Sequence, residues 1–171
     1  TGNVGADLCR RLADAGARLV IADVSPVRRD RLKAVHDAEV VDVSEIAAVD
    51  ADIFAPCALG GALDRETVAK LKAKLVCGAA NNQLATPDVA ALLMERGIVY
   101  APDYVVNAGG IINVSAEYLG EDESDVKLRV AEIAPRVGAL LERAAREGRS
   151  PALVADEMAE EVIAGAQREA A

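Results

Sequence analysis

The chain has 171 residues, enough for one domain of ordinary size, and 52% of them are apolar. A net charge of −9 with no lysine- or arginine-rich block argues against nucleic acid or anionic lipid as a main partner. No apolar run approaches the roughly 20 residues that span a bilayer, and no signal peptide is visible.

Aromatic residues are confined to Phe54, Tyr100, Tyr104 and Tyr118. The core must therefore be Ala, Val, Leu and Ile, which suits helices packed on a buried sheet. Cys9, Cys57 and Cys77 show neither a CxxC nor metal-ligand spacing. They read as small buried hydrophobes in a reducing compartment, which implies a cytoplasmic protein. His36, the single histidine, lies in a polar helical stretch and reads as a surface residue.

In chain order, residues 3–15 place Val4, Leu8, Leu12 and Ala15 on one helical face, with Gly16 as the stop. "RLVIAD" (18–23) is a short buried strand. Ser25-Pro26 is an N-cap followed by proline in the first helical position, and the helix runs to about Val35. "EVVDV" (39–43) is a strand, and Ser44 caps a short helical turn. "ADIFAP" (51–56) is a third strand, followed by a helix over 64–73 that begins at Asp64. "KLVCGAA" (74–80) is the fourth, and Thr86-Pro87 opens a helix over 86–96. "GIVYAPDYV" (97–105) holds a fifth strand with a turn at Pro102. Asn107 then opens a helix to about Tyr118, and "GEDES" (120–124) is a loop with a cap. Residues 124–147 form one long helix carrying Val126, Leu128, Val130, Ile133, Val137, Leu140 and Leu141. Ser150-Pro151 starts a last helix to the end. Alternating strands and helices imply a parallel sheet wound by right-handed crossovers, with strands apolar throughout because both faces are covered.

The opening "TGNVG" fits the second half of a G-x-G-x-x-G fingerprint, with Thr1 in the variable position and Gly2 and Gly5 as its second and third glycines. Gly2 would let a pyrophosphate approach the backbone, and Gly5 would let the helix pack on its strand. Amides near Asn3 and Val4 would face the phosphates. Asp23 closes the next strand at about the 20-residue offset where an acid takes the adenosine ribose. A carboxylate there repels a 2′-phosphate and favours NAD over NADP; Val24 and Arg28 follow at its margin. The missing first glycine and first strand are expected ahead of Thr1. The fold class is thus α/β, a Rossmann-type doubly wound parallel sheet with C-terminal helices. Residues 1–148 form the dinucleotide-binding domain and 149–171 a C-terminal helix.

Three segments fall at the carboxyl ends of strands: "PCALGGALD" (56–64), "GAANNQLATPD" (78–88) and "YAPDYVVNAGGIINV" (100–114). With "GNVG", they closely resemble the Glu/Leu/Phe/Val amino-acid dehydrogenases, most of all the leucine and valine branch. The likeness is dense from Thr1 to about Tyr118. It implies that Cys57, Ala58 and Leu59 line the adenine side of a cleft. Ala79, Ala80 and Asn81 would meet the nicotinamide-side ribose, and Asn107 the carboxamide. Ile111 and Val114 would wall the substrate side-chain pocket. Read from spacing alone, Asn107 is equally a turn or cap residue and Ile111 and Val114 ordinary core.

The resemblance implies NAD-dependent oxidative deamination of an amino acid, with pocket lysines supplied by a separate substrate domain. It also implies homo-oligomers and C-terminal helices that bridge toward that domain, so that residues 150–171 could be loosely held on their own. Lys70, Lys72, Lys74 and Lys127 lie in polar helical surroundings and read as surface charges, so no catalytic acid or base is assigned. A branched-chain substrate suits the aliphatic wall. Phenylalanine, another NAD-dependent oxidoreductase of the same fold and a non-catalytic NAD-binding module stand as alternatives.

Overall fold

A computed structural model describes residues 2–169, so the expectations for Thr1, and for the helix reaching Ala170 and Ala171, lie outside the described residues. Gly2 caps α1 (Asn3–Asp14), and Gly16, at φ +84°, takes the left-handed turn that ends it. The buried side of α1 is Gly5 and Cys9 rather than the expected Val4–Leu8–Leu12–Ala15 stripe. Val4 and Ala15 are exposed and Leu8 and Leu12 only half-buried. Gly5 and Cys9 are small enough to bring the helix close to β1 (Val20–Ile21), where Cys9 packs with Ile21, Leu32 and Ala38.

Ser25 precedes α2 (Pro26–His36), which has proline in its first turn as expected. It leads to β2 (Glu39–Val40), parallel to β1. The turn after β2 is opened by Asp42, not Ser44. The Asp42 carboxylate accepts the Ser44 N–H at 2.8 Å and its hydroxyl at 2.6 Å, ahead of a 3₁₀ turn at Ile46–Ala48. A carboxylate is the stronger acceptor, so serine becomes the donor.

β3 (Ile53–Phe54), β4 (Leu75–Val76) and β5 (Val99–Tyr100) form a second parallel sheet in that order. Each ladder is two residues long, shorter than the expected strands. Its core is Leu63, Val68, Leu71, Val76, Val89, Leu93 and Tyr100. Asp64 caps α3 (Arg65–Lys70), accepting the Thr67 N–H at 2.7 Å. This helix ends before residue 73 because Arg96 takes the carbonyls of Val68 and Leu71, turning Leu71 to extended backbone. α4 (Val89–Glu95) starts after a tight turn in which the Val89 N–H donates to the Thr86 carbonyl.

The five strands thus lie in two sheets, β1–β2 and β3–β4–β5, and β1 and β3 do not pair.

Pro102 starts a single turn, α5 (Asp103–Val106), so Asn107 ends that turn instead of opening the next helix. The helix expected from Asn107 is α6 (Gly109–Leu119). Asp122 forms a reciprocal capping box with Asp125 at the start of α7 (Glu123–Ala131). The expected continuous helix over 124–147 is broken into α7 and α8 (Ile133–Glu147). Pro135 explains the break: it has no N–H for the Ala131 carbonyl and its ring crowds that carbonyl. Of the apolar residues expected to line that helix, Leu140 is buried, while Leu128 and Val130 are exposed.

α9 (Pro151–Glu169) is not loose at its start. Val154 and Ala155 are buried against Leu140 and Ala144 of α8, with Val105 of α5 and Met158 beside them. The Tyr104 hydroxyl donates to Asp156 at 2.8 Å, which ties α5 to α9.

Candidate functional site

In parallel sheets the loops leaving the carboxyl ends of strands gather on one side. The segments after β1, β3, β4 and β5 are those that carry the candidate residues. α1 starts on a glycine, so no side chain occupies its first amides, and no acidic residue lies in its first turn. A Cβ on Gly2 would meet no heavy atom within 4 Å. The Asn3 and Val4 amides open the helix beside it. Both residues are exposed, and Gly5 is buried beneath them.

Asp23 follows β1 and is 7% exposed. One of its oxygens accepts the Ser25 N–H at 2.8 Å, fixing the carboxylate at the head of α2. Val24 and Arg28 are exposed beside it.

The β3 and β4 loops are laced together through the backbone. The Ala80 N–H donates to the Pro56 carbonyl at 2.9 Å, Gly61 to Asn82 at 2.7 Å, and Leu63 to Gln83 at 2.9 Å. The contact is close enough to exclude side chains. A Cβ on Gly78 would lie 2.3 Å from the Pro56 oxygen, and one on Gly60 would lie 2.9 Å from the Asn81 oxygen. Gln83 is fully buried; its Nε2 donates to the carbonyls of Gly78 at 2.8 Å and Ala80 at 2.9 Å, stapling the β4 loop to itself.

The β5 loop joins the same network. Asn107 Nδ2 donates to the Ala79 carbonyl at 2.9 Å and to Asn81 Oδ1 at 2.7 Å. A carbonyl only accepts, so the nitrogen must face Ala79, and Oδ1 is the atom left to meet a ligand. Asp103, in α5, accepts the Asn82 N–H at 2.8 Å and the Tyr100 hydroxyl at 2.5 Å. Gln83 and Asp103 were not legible as site residues: Gln83 bonds backbone atoms and Asp103 reaches Asn82 across 21 positions, and neither leaves a spacing signal.

The structure therefore brings Asn81, Asn107 and Ala79 into direct contact. Ala58, Leu59 and Asn81 are exposed, and Cys57 and Ala79 half-buried. Ala80 is different: it is buried, and both its N–H and its carbonyl are engaged within the protein. It supports the loop from behind. Ile111 and Val114 are 67% and 61% exposed on α6, while Ile112 points into the core, so the first two are not ordinary core.

The cysteines are less buried than expected. Cys9 is buried, but Cys57 and Cys77 are half-buried. Burial, and secondly the neighbouring Cys57, push the Cys9 and Cys77 thiols up, which keeps them protonated at neutral pH. Burial raises the Tyr100 and Tyr104 phenols as well, reinforced by hydrogen bonds to Asp103 and Asp156. His36 is half-buried in the last turn of α2 rather than fully exposed. Lys70, Lys74 and Lys127 make exposed ion pairs with Glu66, Asp52 and Glu123. Among the described residues no cluster of His, Cys, Asp or Glu could hold a metal, and no helix is long and apolar enough to cross a membrane.

A family model, Glutamate/Leucine/Phenylalanine/Valine dehydrogenase, matches residues 21–168. Leucine dehydrogenase of Thermoactinomyces intermedius is 44% identical over 95% of this chain and 44% of its own length. Valine dehydrogenase of Streptomyces albus is 46% identical over 97% of this chain and 46% of its own. The crystal structure of L-tryptophan dehydrogenase from Nostoc punctiforme superposes with a TM-score of 0.92 at 42% identity, covering 96% of this chain and 50% of that one. The chain thus spans about half the length of the relatives it matches. By the family match, by identities well above 40% and by the shared fold, this chain belongs to the Glu/Leu/Phe/Val amino-acid dehydrogenase family.

Proposed function

We propose that residues 1–148 are the NAD-binding domain of an enzyme that oxidatively deaminates a branched-chain L-amino acid to its 2-oxo acid and ammonia. The observation that carries this reading is the joined Asn81–Asn107–Ala79 cluster at the strand ends, with glycine-started α1 and the buried Asp23 on the preceding elements. The Gly2, Asn3 and Val4 amides hold the diphosphate, with Gly5 seating the helix, and Asp23 accepts hydrogen bonds from the adenosine ribose hydroxyls. Val24 and Arg28 flank that sugar. Cys57, Ala58 and Leu59 line the adenine side, and Ala79 and Asn81 meet the second ribose over Ala80.

The bound nicotinamide supplies the acceptor for the hydride that leaves the substrate Cα. Asn107 Oδ1 would accept the carboxamide N–H and so orient the cofactor. Ile111 and Val114 would exclude water on the α6 side and contact the aliphatic side chain. The hydrolysis of the resulting imine needs proton carriers, and the exposed, ion-paired lysines here do not provide them. Those would belong to a substrate domain, toward which the C-terminal segment, residues 149–171, would pack. A first strand ahead of Gly2 would seat between the unpaired edges of β1 and β3. Homo-oligomeric assembly and a cytoplasmic location complete the proposal.

The likeness to L-tryptophan dehydrogenase favours a second reading, an aromatic substrate, because Ile111 and Val114 form only one wall. The chain is titrated with NADH and NADPH. NADH should bind at least about tenfold more tightly, and Asp23→Ala should narrow the gap, since a 2′-phosphate then meets no carboxylate. Equal affinities in the unmodified chain refute the assignment of Asp23. Substituting this chain for the matching half of the Thermoactinomyces leucine dehydrogenase, and assaying leucine, valine, phenylalanine and tryptophan, separates the two substrate readings.

A further inference from the structure

Asp103 touches none of the atoms assigned to a ligand above, yet it sits where three strand-end loops meet. It is 7% exposed and lies in the first turn of α5, four residues before Asn107. Its carboxylate accepts the Asn82 N–H at 2.8 Å and the Tyr100 hydroxyl at 2.5 Å. Tyr100 is itself buried at the end of β5, and the Asp103 N–H donates back to its oxygen at 3.3 Å.

Asn82 is not an ordinary partner. Its φ is +52°, one of two positive values outside glycine among the described residues. Asparagine enters that region more readily than most side-chain-bearing residues, and its surroundings hold it there. Here the determinants are the carboxylate on its N–H and the Gly61 N–H on its carbonyl. Gly60 lies against the Asn81 and Asn82 carbonyls with no room for a Cβ. One carboxylate therefore fixes the β5 loop to the β4 loop, and through Asn82 the β4 loop to the β3 loop. The left-handed residue turns the chain so that Asn81, one step earlier, projects outward to Asn107 while Gln83, one step later, projects inward.

We propose that Asp103 is a positioning residue for the cofactor amides: by holding Asn82 left-handed it sets the separation of Asn81 and Asn107. This rests on the NAD-binding reading, and its test is arranged so that the two fail separately.

The 171-residue chain is prepared as Asp103→Ala, Asp103→Asn and Tyr100→Phe. Each is followed by amide hydrogen exchange at Asn82, by the side-chain amide resonances of Asn81 and Asn107 without ligand, and by NADH titration. Asp103→Ala should lose at least tenfold in protection at Asn82, displace the Asn107 resonances and weaken NADH at least tenfold. Asp103→Asn should restore all three to within about twofold, because its Oδ1 can take the Asn82 N–H while its Nδ2 donates to the Tyr100 oxygen. Tyr100→Phe keeps the bond to Asn82, so it should lower the melting temperature yet leave the Asn107 resonances in place.

The inference is overturned if Asp103→Ala leaves the Asn107 resonances unmoved, or if Tyr100→Phe moves them as far as Asp103→Ala does. Should Asp103→Ala not fold, Asp103→Ser takes its place. Failure of both to fold indicates a purely structural role and counts against the inference. Absence of NADH binding in the unmodified chain refutes the cofactor reading, while the resonances still decide the role of Asp103.

Discussion

Replacing Gly78 with alanine should damage the fold and the site together, whereas the same change at Gly2 should damage binding alone. At Gly78 the new methyl would lie 2.3 Å from the Pro56 oxygen, 2.5 Å from its nitrogen and 2.6 Å from its Cδ. Ordinary contacts between such atoms are about 3.5 Å, so the two strand-end loops must separate by about 1 Å. All three atoms belong to a buried proline, and none can rotate away. Overpacking of this kind costs about 1–3 kcal/mol. The same displacement stretches the Ala80–Pro56 hydrogen bond, now 2.9 Å, for about 1 kcal/mol more. A total of about 3 kcal/mol lowers the melting temperature of a domain this size by about 6–12 °C. Gly2→Ala meets no atom within 4 Å and should change stability by less than about 1 kcal/mol, yet weaken NADH at least tenfold. Calorimetry, urea unfolding and NADH titration on both variants check this. A Gly78→Ala chain within about 0.5 kcal/mol of the unmodified one refutes the packing argument. A Gly2→Ala chain that binds NADH undiminished refutes the phosphate cradle.

Two other outcomes follow from the core. Leu140→Ala, at a side chain 1% exposed between α8 and α9, should cost about 2–5 kcal/mol in urea unfolding; a loss below about 1 kcal/mol would mean that α9 is not packed on it. Tyr100, whose phenol is raised above its ordinary range first by burial and then by Asp103, keeps its proton in the folded chain at pH values where the unfolded chain has lost it. Its contribution is therefore complete below about pH 10 and is lost as the pH climbs beyond that, at about 1.4 kcal/mol per pH unit. Tyr104 is 53% exposed, so solvent reduces its share. Tyr100→Phe should flatten the alkaline fall measured by unfolding at pH 9 and 11, and parallel curves for the two chains refute the assignment.

Much of the element order was legible because the chain punctuates itself. Ser25-Pro26, Asp64 and Asp122 stand where the structure starts helices, and "RLVIAD" and "KLVCGAA" contain β1 and β4. What failed did so for local reasons. Apolar spacing in α1 selects Val4 and Leu8, but close packing on a strand selects the smallest residues, Gly5 and Cys9. The apolar series over 124–147 is continuous, yet Pro135 divides it, a signal that was present and outweighed by periodicity. α5 is a single turn, too short for any periodic signal. The glycine fingerprint singled out Gly2, Asn3, Val4, Gly5 and Asp23, but the rest of the candidate site was legible only through the resemblance. Spacing alone cannot say that Asn107 reaches back to Ala79, or that Asp103 meets Asn82 across 21 positions.

The division of labour within residues 78–83 explains how so small a loop can serve a ligand. Gly78, Ala80 and Gln83 are buried; the Gly78 and Ala80 carbonyls accept from the Gln83 side chain, the Ala80 N–H donates to Pro56 and the Gln83 carbonyl accepts from Leu63, while Asn81 is exposed beside them. Fixing a residue's backbone costs about 1–2 kcal/mol, and folding has already ordered every residue of this loop through its inward-facing partners. A ligand arriving at Asn81 and Asn107 meets side chains whose geometry is set, so its binding free energy is not spent on ordering them. That also accounts for the sharp boundary between neighbouring residues. Asn81 must stay exposed and hydrogen-bonded only to Asn107, and Asn82 must stay left-handed for that to hold. The stability of the β3–β4–β5 half and the shape of the proposed cofactor cleft are thus two readings of the same few hydrogen bonds.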